Sequence, residues 1–332
     1  MKFRYEFDIP KISFPINHQH KLLLIGSCFT ENIGGKLKKY KFQIHENPHG
    51  ILFNPVSVAG AIHDYICKKE YQKEELFYYN EGWHSWQHHS RFSGLTADDS
   101  INKINHAIAA ANDFLKQTDF LLVTLGSAWV YKVTRNAANW KENSVAANNH
   151  KAPSDWFERE LLAHTAVESL LTTMLKDVVE FNPNTKVIFT ISPVRHLREG
   201  AIDNNRSKAV LIHAVHSVAN KFDHVYYFPA YELVLDDLRD YRFYAEDLVH
   251  PNYFATEYVW KRFVQACMND DTQKLTSEIH AINLAFQHKP FNSTSGQHKQ
   301  FLNSFLKKTT ELQQKHPFLN FTKELEYFSS GI

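Results

Sequence analysis

Residues 21–30 read KLLLIGSCFT, and this stretch decides the fold. Leu22 to Ile25 form an unbroken apolar run that stops at Gly26, the pattern of a short strand buried on both faces of a parallel sheet. From residue 29 to 40 apolar and charged residues follow helical spacing, so Gly26, Ser27 and Cys28 form the turn from strand into helix. Three further runs repeat the strand signature: FLLVTLG at 120–126, KVIFTIS at 186–192 and VYYF at 225–228. Amphipathic stretches at 55–67, 99–117, 154–180 and 204–222 separate them. Strand and helix in alternation predict an α/β domain with a parallel sheet.

Two stretches break this pattern: 68–98, which contains YNEGWHSWQHHSRFSG, and 130–153, rich in Asn. Both are expected as loop insertions. After about residue 270 the chain turns into polar helices interrupted by NSTSGQ at 292–297, so the expected division is a domain at 1–270 and a helical extension at 271–332. The 332 residues carry 37 basic and 36 acidic side chains, a net +1, too balanced for a phosphate-binding field or a polybasic membrane patch. Neither nucleic acid nor membrane is an expected partner. A hydrophobic content of 43% is enough for a sizeable core and argues against disorder. Cys28, Cys67 and Cys267 form no CxxC pair, which argues against a disulfide framework or structural zinc and fits a reducing compartment. The opening MKFRYEFDIPKISF lacks the apolar segment of a signal peptide, so a soluble cytoplasmic protein is expected.

Ligands of open parallel sheets bind beyond the carboxyl ends of the strands, which places Ser27 and Cys28 at a cleft. The helix start there supplies free N–H groups and a positive dipole end. A thiol at that position is expected to titrate low and act as a nucleophile, whereas Ser27 needs an adjacent base. The competing reading is a small-residue packing turn with an inert cysteine. A second candidate is AEDLVHPN at 245–252, with Asp247 and His250 three apart before Pro251. Proline keeps His250 extended and opens the following helix. Asp247 would fix the imidazole tautomer and leave the other nitrogen as a general base. With 20 histidines in the chain, chance spacing is the competing reading.

Together, GSCFT at 26–30 and DLVH at 247–250 resemble the GSCFA family and, through it, the SGNH/GDSL hydrolase superfamily, over roughly residues 20–268. The resemblance implies a three-layer, flavodoxin-like (SGNH hydrolase-like) α/β fold with about five parallel strands, loop insertions and a helical C-terminal extension. It also implies ester hydrolysis by a nucleophile, a histidine and an aspartate. The superfamily's Gly-Asp-Ser turn, aligned on GSCF, puts Cys28 at the nucleophile position and Ser27 where Asp stands, so both are candidates. The Gly-x-Asn-Asp block corresponds to LGSAW at 125–129, which keeps Gly126 but has Ala128 in place of the oxyanion Asn. Ser127, the indole of Trp129 or a backbone N–H are the candidate replacement donors. The remaining block, which gives a glycine N–H, corresponds to NPHGILFNP at 47–55 and nominates Asn47 and Gly50.

In WHSWQHHSRF at 83–92, His84 and His88 stand four apart, but no Glu accompanies them as in HExxH, so no metal is expected. The stretch is expected as an aromatic loop over the cleft, with His84, His88 and Ser90 holding a polar substrate. In SPVRHLREG at 192–200, which follows a core strand, Arg195 and Arg198 are candidates for binding a carboxylate or phosphate and His196 for adding a hydrogen bond. The expected function is hydrolysis of acyl esters without a cofactor, an O-acetyl group on a sugar being the preferred case. The partner is then a small-molecule or carbohydrate ester. The same residues would serve an acyltransferase, and Ala128 favours a binding protein that does no catalysis. Nothing in the sequence sets an oligomeric state.

Overall fold

The computed structural model describes residues 4–330, with Glu199 described by its backbone alone. The first half contains β1 (Lys21–Gly26), α1 (Cys28–Lys39), β2 (Gln43–Glu46), α2 (Pro55–Cys67), β3 (Phe77–Tyr79), β4 (Gly82–His84) and α3 (Ala97–Leu115). Next come β5 (Phe120–Leu125), β6 (Trp129–Val133), β7 (Val145–Ala146), β8 (Phe157–Leu161), α4 (His164–Phe181), β9 (Lys186–Ile191) and α5 (Gly200–Ala219). The chain closes with β10 (Val225–Tyr227), the short α6 (Ala230–Glu232), α7 (Tyr253–Cys267), α8 (Asp270–Gln287), α9 (Gly296–Lys315) and α10 (Thr322–Ser330).

The central sheet has five strands in the order β10-β9-β5-β1-β2, all parallel. This is the flavodoxin-like order, in which the chain reverses direction beside β1 and leaves a crevice above its carboxyl end. The four apolar runs form four of these strands. The fifth, β2, is QIHE, which is too short and polar to show the buried-strand pattern, and it lies at the sheet edge where only one neighbour must be satisfied.

Alternate side chains of the strands feed two cores. Leu23, Ile25, Leu121, Val123 and Phe189 pack with residues of α2 to α5 such as Ile62, Ile108, Leu171 and Leu211. Leu22, Leu24, Phe120, Leu122 and Ile188 pack on the other face with Phe29 and Leu37 of α1 and Val259 and Phe263 of α7. Leu275, Ile279, Leu302, Leu312 and Phe328 from the last three helices join that same second core.

Both expected insertions are ordered. Residues 68–98 contain the antiparallel β3–β4 hairpin, whose two-residue turn, Asn80 and Glu81, has φ of 45° and 62°. Residues 130–153 contribute to an antiparallel sheet of order β7-β6-β8. The helix expected from 154 starts only at His164: FEREL at 157–161 pairs with β6 as β8, and its strand alternation outweighs the helical spacing around it. Among the described residues no helix is long and apolar enough to cross a membrane.

Candidate active site

The chain leaves β1 through Gly26, whose φ is +141° and where an added Cβ would stand 2.1 Å from the Thr124 carbonyl oxygen. Only glycine permits this close approach of two backbones. Ser27 follows as the N-cap of α1, in extended conformation, but its side chain makes no capping bond. Its Oγ is buried and has no hydrogen-bond partner among the described residues. Cys28, the first residue of α1, is half-buried and has its Sγ 4.0 Å from His250 Nε2. The two segments, 222 positions apart, therefore meet above the carboxyl end of β1.

His250 is held by its own loop. Asp247 Oδ2 lies 2.6 Å from His250 Nδ1, while Asp247 Oδ1 accepts the N–H groups of Val249 and His250 at 2.9 and 3.0 Å. These bonds hold the Asp247 carboxyl down at about 2, so it is ionised throughout the neutral range. Between them Leu248 has φ +60°, a left-handed conformation that costs a residue with a Cβ about 1–2 kcal/mol. Pro251 does not open the next helix as expected. It forms a bridge with Tyr244, and Asn252 caps α7, its Oδ1 accepting the Ala255 N–H and its Nδ2 donating to the Arg242 carbonyl at 2.7 Å.

The expectation of a low-titrating thiol fails. Burial pushes the Cys28 thiol up from its ordinary value, and Glu31 adds to the rise. The N–H groups of Phe29 and Cys28 and the charge of Lys208 pull the other way without reversing it. The helix N-terminus still favours the thiolate, but packing of α1 on the sheet removes much of the sulfur's solvent, and that desolvation outweighs it.

The three expected oxyanion donors are also spent elsewhere. Gly50 N–H donates to the Asn47 carbonyl at 2.8 Å, and Gly126 and Ser127 N–H both donate to the Phe53 carbonyl at 2.8 and 2.9 Å. Ser127 Oγ accepts the Trp129 N–H and contacts Ser207 Oγ, the Ala128 N–H donates to Ser207 Oγ, and the Trp129 indole donates to the Asp203 carbonyl. Asn47 Oδ1 accepts the Gly26 N–H at 2.9 Å, while its Nδ2 is buried without a partner among the described residues.

His196 does reach the site. A Cβ added to Gly126 would stand 3.2 Å from His196 Nε2 and 3.3 Å from Ser27 Cβ, so both line the space above Gly126. Burial, with Lys208 and His250 nearby, lowers the His196 pKa to about 4, and its imidazole is neutral at pH 7. Asn204 Oδ1 accepts the His196 N–H at 3.0 Å. Beneath it, the fully buried Lys208 donates to the carbonyls of Gly126 and Ser192 at 2.5 and 2.7 Å. Neither Asn204 nor Lys208 was nominated from the sequence. The available signal was position: 204, 207, 208, 211 and 215 form the buried face of α5, where a lysine is out of place.

Two other nominations go to different places. His84 spends both ring nitrogens within its own insertion, on Ser93 Oγ and the Tyr79 carbonyl. His88 is buried, bonded to Ser85 Oγ and stacked on His49 at 4.2 Å. Neither lies on a helix, Ser90 opens an exposed turn beyond them, and the described residues contain no cluster able to hold a metal. A cleft of 590 Å³, which reaches the Asp247–His250 loop at Leu248, is lined instead by Arg195, Tyr231 and Tyr244 among others.

Comparison with known proteins gives two family matches. The model described as the GSCFA family matches residues 21–263, and that of the GSCFA domain protein, C-terminal domain, matches residues 279–332. A search of curated proteins finds no relative that matches. Among solved structures, a family 3 carbohydrate esterase from Clostridium thermocellum is 9% identical, with a TM-score of 0.35 over 78% of this chain and 98% of its own. An acetyl xylan esterase from the rumen bacterium Butyrivibrio proteoclasticus is 11% identical, with a TM-score of 0.39 over 78% of this chain and 64% of its own. A carbohydrate esterase of family 3 from Talaromyces cellulolyticus is 12% identical, with a TM-score of 0.32 over 79% and 99%.

Proposed function

The chain belongs to the GSCFA family, and from that premise we propose that it hydrolyses acyl esters with Cys28 as nucleophile, His250 as general base and Asp247 as its orienting carboxylate. The observation that carries this reading is the run of contacts from Cys28 Sγ to His250 Nε2 at 4.0 Å and from His250 Nδ1 to Asp247 at 2.6 Å. Because burial keeps the thiol protonated, His250 removes its proton as sulfur attacks, instead of meeting a preformed thiolate. The Sγ–acyl carbon bond forms, the proton returns from His250 to the leaving alcohol, and the alcohol oxygen–acyl bond breaks. Water then attacks the thioester carbon and gives a proton to His250, the Sγ–acyl carbon bond breaks to release the carboxylic acid, and His250 returns the proton to sulfur.

The oxyanion is stabilised by the N–H groups of Cys28 and Phe29 at the start of α1 and by neutral His196, in place of the missing Asn. The His250 and Asp247 side chains are each 51% exposed, so water reaches the base freely. That access supports hydrolysis over transfer to a second alcohol. An O-acetyl group on a carbohydrate is the substrate we favour.

The test is turnover of acetyl esters by wild type, Cys28→Ala, Ser27→Ala and His250→Ala, with mass spectrometry of the acylated residue. Cys28→Ala and His250→Ala are expected to lose roughly 10³-fold or more in kcat/KM while Ser27→Ala retains most of it. Full turnover by Cys28→Ala sinks the assignment. A non-catalytic binding role is the second reading, favoured by the committed N–H groups of Gly50, Gly126 and Ser127. Absence of any Cys28 acylation by esters would select it.

A further inference from the structure

A cleft of 590 Å³ is lined by sequence neighbours of the proposed site, Arg195 before His196 and Leu248 between Asp247 and His250, and not by Cys28 or His250 themselves. Tyr244, also on its lining, is bridged to Pro251, next to His250. Arg195 lines the cleft together with Tyr231 and Tyr244, and its charge opposes the upward push that burial gives to both hydroxyls, a push to which Asp236 and Glu232 add at Tyr231. Arg195 is half-buried and forms no ion pair among the described residues. Asp236 and Arg239, also on the lining, are exposed and border a neighbouring 280 Å³ groove with Tyr5 and Phe7. Asp240 is neutralised by Arg242 at 2.9 Å. Arg195 is thus a half-buried cation that shares the cleft with two tyrosine rings and has no ion pair among the described residues, although the carboxylates of Asp236 and Glu232 also act on Tyr231.

Resting on the esterase reading above, we propose that this cleft takes the alcohol half of the ester, and that this half is a ring carrying an anionic group. Arg195 binds the anion and the rings of Tyr231 and Tyr244 flank the sugar or aryl ring. A planar guanidinium forms paired, charge-assisted bonds to carboxylate or phosphate, and aromatic faces pack on the apolar faces of rings. A carboxylate on the ring and a phosphate on a side arm present the same chemistry to Arg195.

Titration calorimetry on Cys28→Ala protein, which needs no turnover, tests this with methyl glucuronoside, glucose 6-phosphate and neutral methyl glucoside. At least one anion is expected to bind roughly tenfold or more tighter than the neutral ring, the worth of one charge-assisted contact. Arg195→Gln should remove that preference and Arg195→Lys should restore part of it, which separates lost charge from misfolding. The tighter of the two anions identifies the source. Equal binding of all three ligands, no binding of any, or a preference that survives Arg195→Gln overturns the proposal. If wild type still acylates Cys28 in those cases, the esterase reading stands and only the substrate class falls.

Discussion

Ser27 and Cys28 are neighbours that the turn separates by burial. Ser27 occupies an N-cap, where replacing serine by alanine ordinarily costs about 1 kcal/mol. Its side chain makes no capping bond, however, and its Oγ is buried without a partner among the described residues. Removing an unsatisfied buried hydroxyl relieves a desolvation cost of comparable size. Ser27→Ala is therefore expected to be neutral or to stabilise by up to about 1 kcal/mol, read as the midpoint of urea unfolding. A loss of more than that would mean the hydroxyl holds a bond in solution. At this scale the sequence was informative where side-chain type alone carries the chemistry: Cys28, His250 and Asp247 were all nominated, and they do meet. It was uninformative where the outcome depends on what packs nearby. The thiol's upward shift comes from burial of α1, and the N–H groups of Gly126 and Ser127 are taken by the Phe53 carbonyl, which lies in the NPHGILFNP block but whose backbone role its side chain does not signal.

Elements were legible in proportion to how completely they are buried. The runs that became β1, β5 and β9 announced themselves because both faces are covered, whereas β2 and β8 have exposed faces and mixed sequences. Helices α8 to α10 read as a polar appendage because each shows only a narrow apolar stripe, yet those stripes enter the core that β1, α1 and α7 share. Phe328 of α10 is fully buried there, against Phe305 of α9. Phe328→Ala is expected to cost about 3–5 kcal/mol. In a chain of this size that lowers the melting temperature by roughly 10 °C. A single cooperative transition displaced as a whole is the expected calorimetric trace. If a small separate transition moves while the main one stays in place, the last three helices fold independently of the sheet.

Across the whole molecule, nine of the 20 histidines are held toward the neutral form by burial. His18 stacks on Phe42 at 4.0 Å with Nε2 near the Tyr40 carbonyl, His150 reaches the Ser85 carbonyl, and His196 lies over Gly126. Burial lowers the pKa of all three to about 4, and lowers those of His20, His45, His49, His88, His89 and His224 as well. In the unfolded chain a histidine takes up its proton near pH 6.5. Between about 6.5 and 4 the unfolded state therefore binds protons that the folded state refuses, and stability falls with falling pH. The contribution is fully present above pH 6.5 and is lost toward pH 4. Asp247 acts in a lower window, since its carboxyl is held at about 2, and it does not offset this trend. Lowering the pH from 7.5 to 5.0 is expected to remove on the order of a few kcal/mol of unfolding free energy. Urea unfolding at the two pH values checks it: the midpoint should fall with an unchanged slope, and His150→Gln should flatten the dependence. Equal midpoints at both values would mean that these imidazoles are solvated in the native protein, and with them the neutral His196 required above the proposed nucleophile.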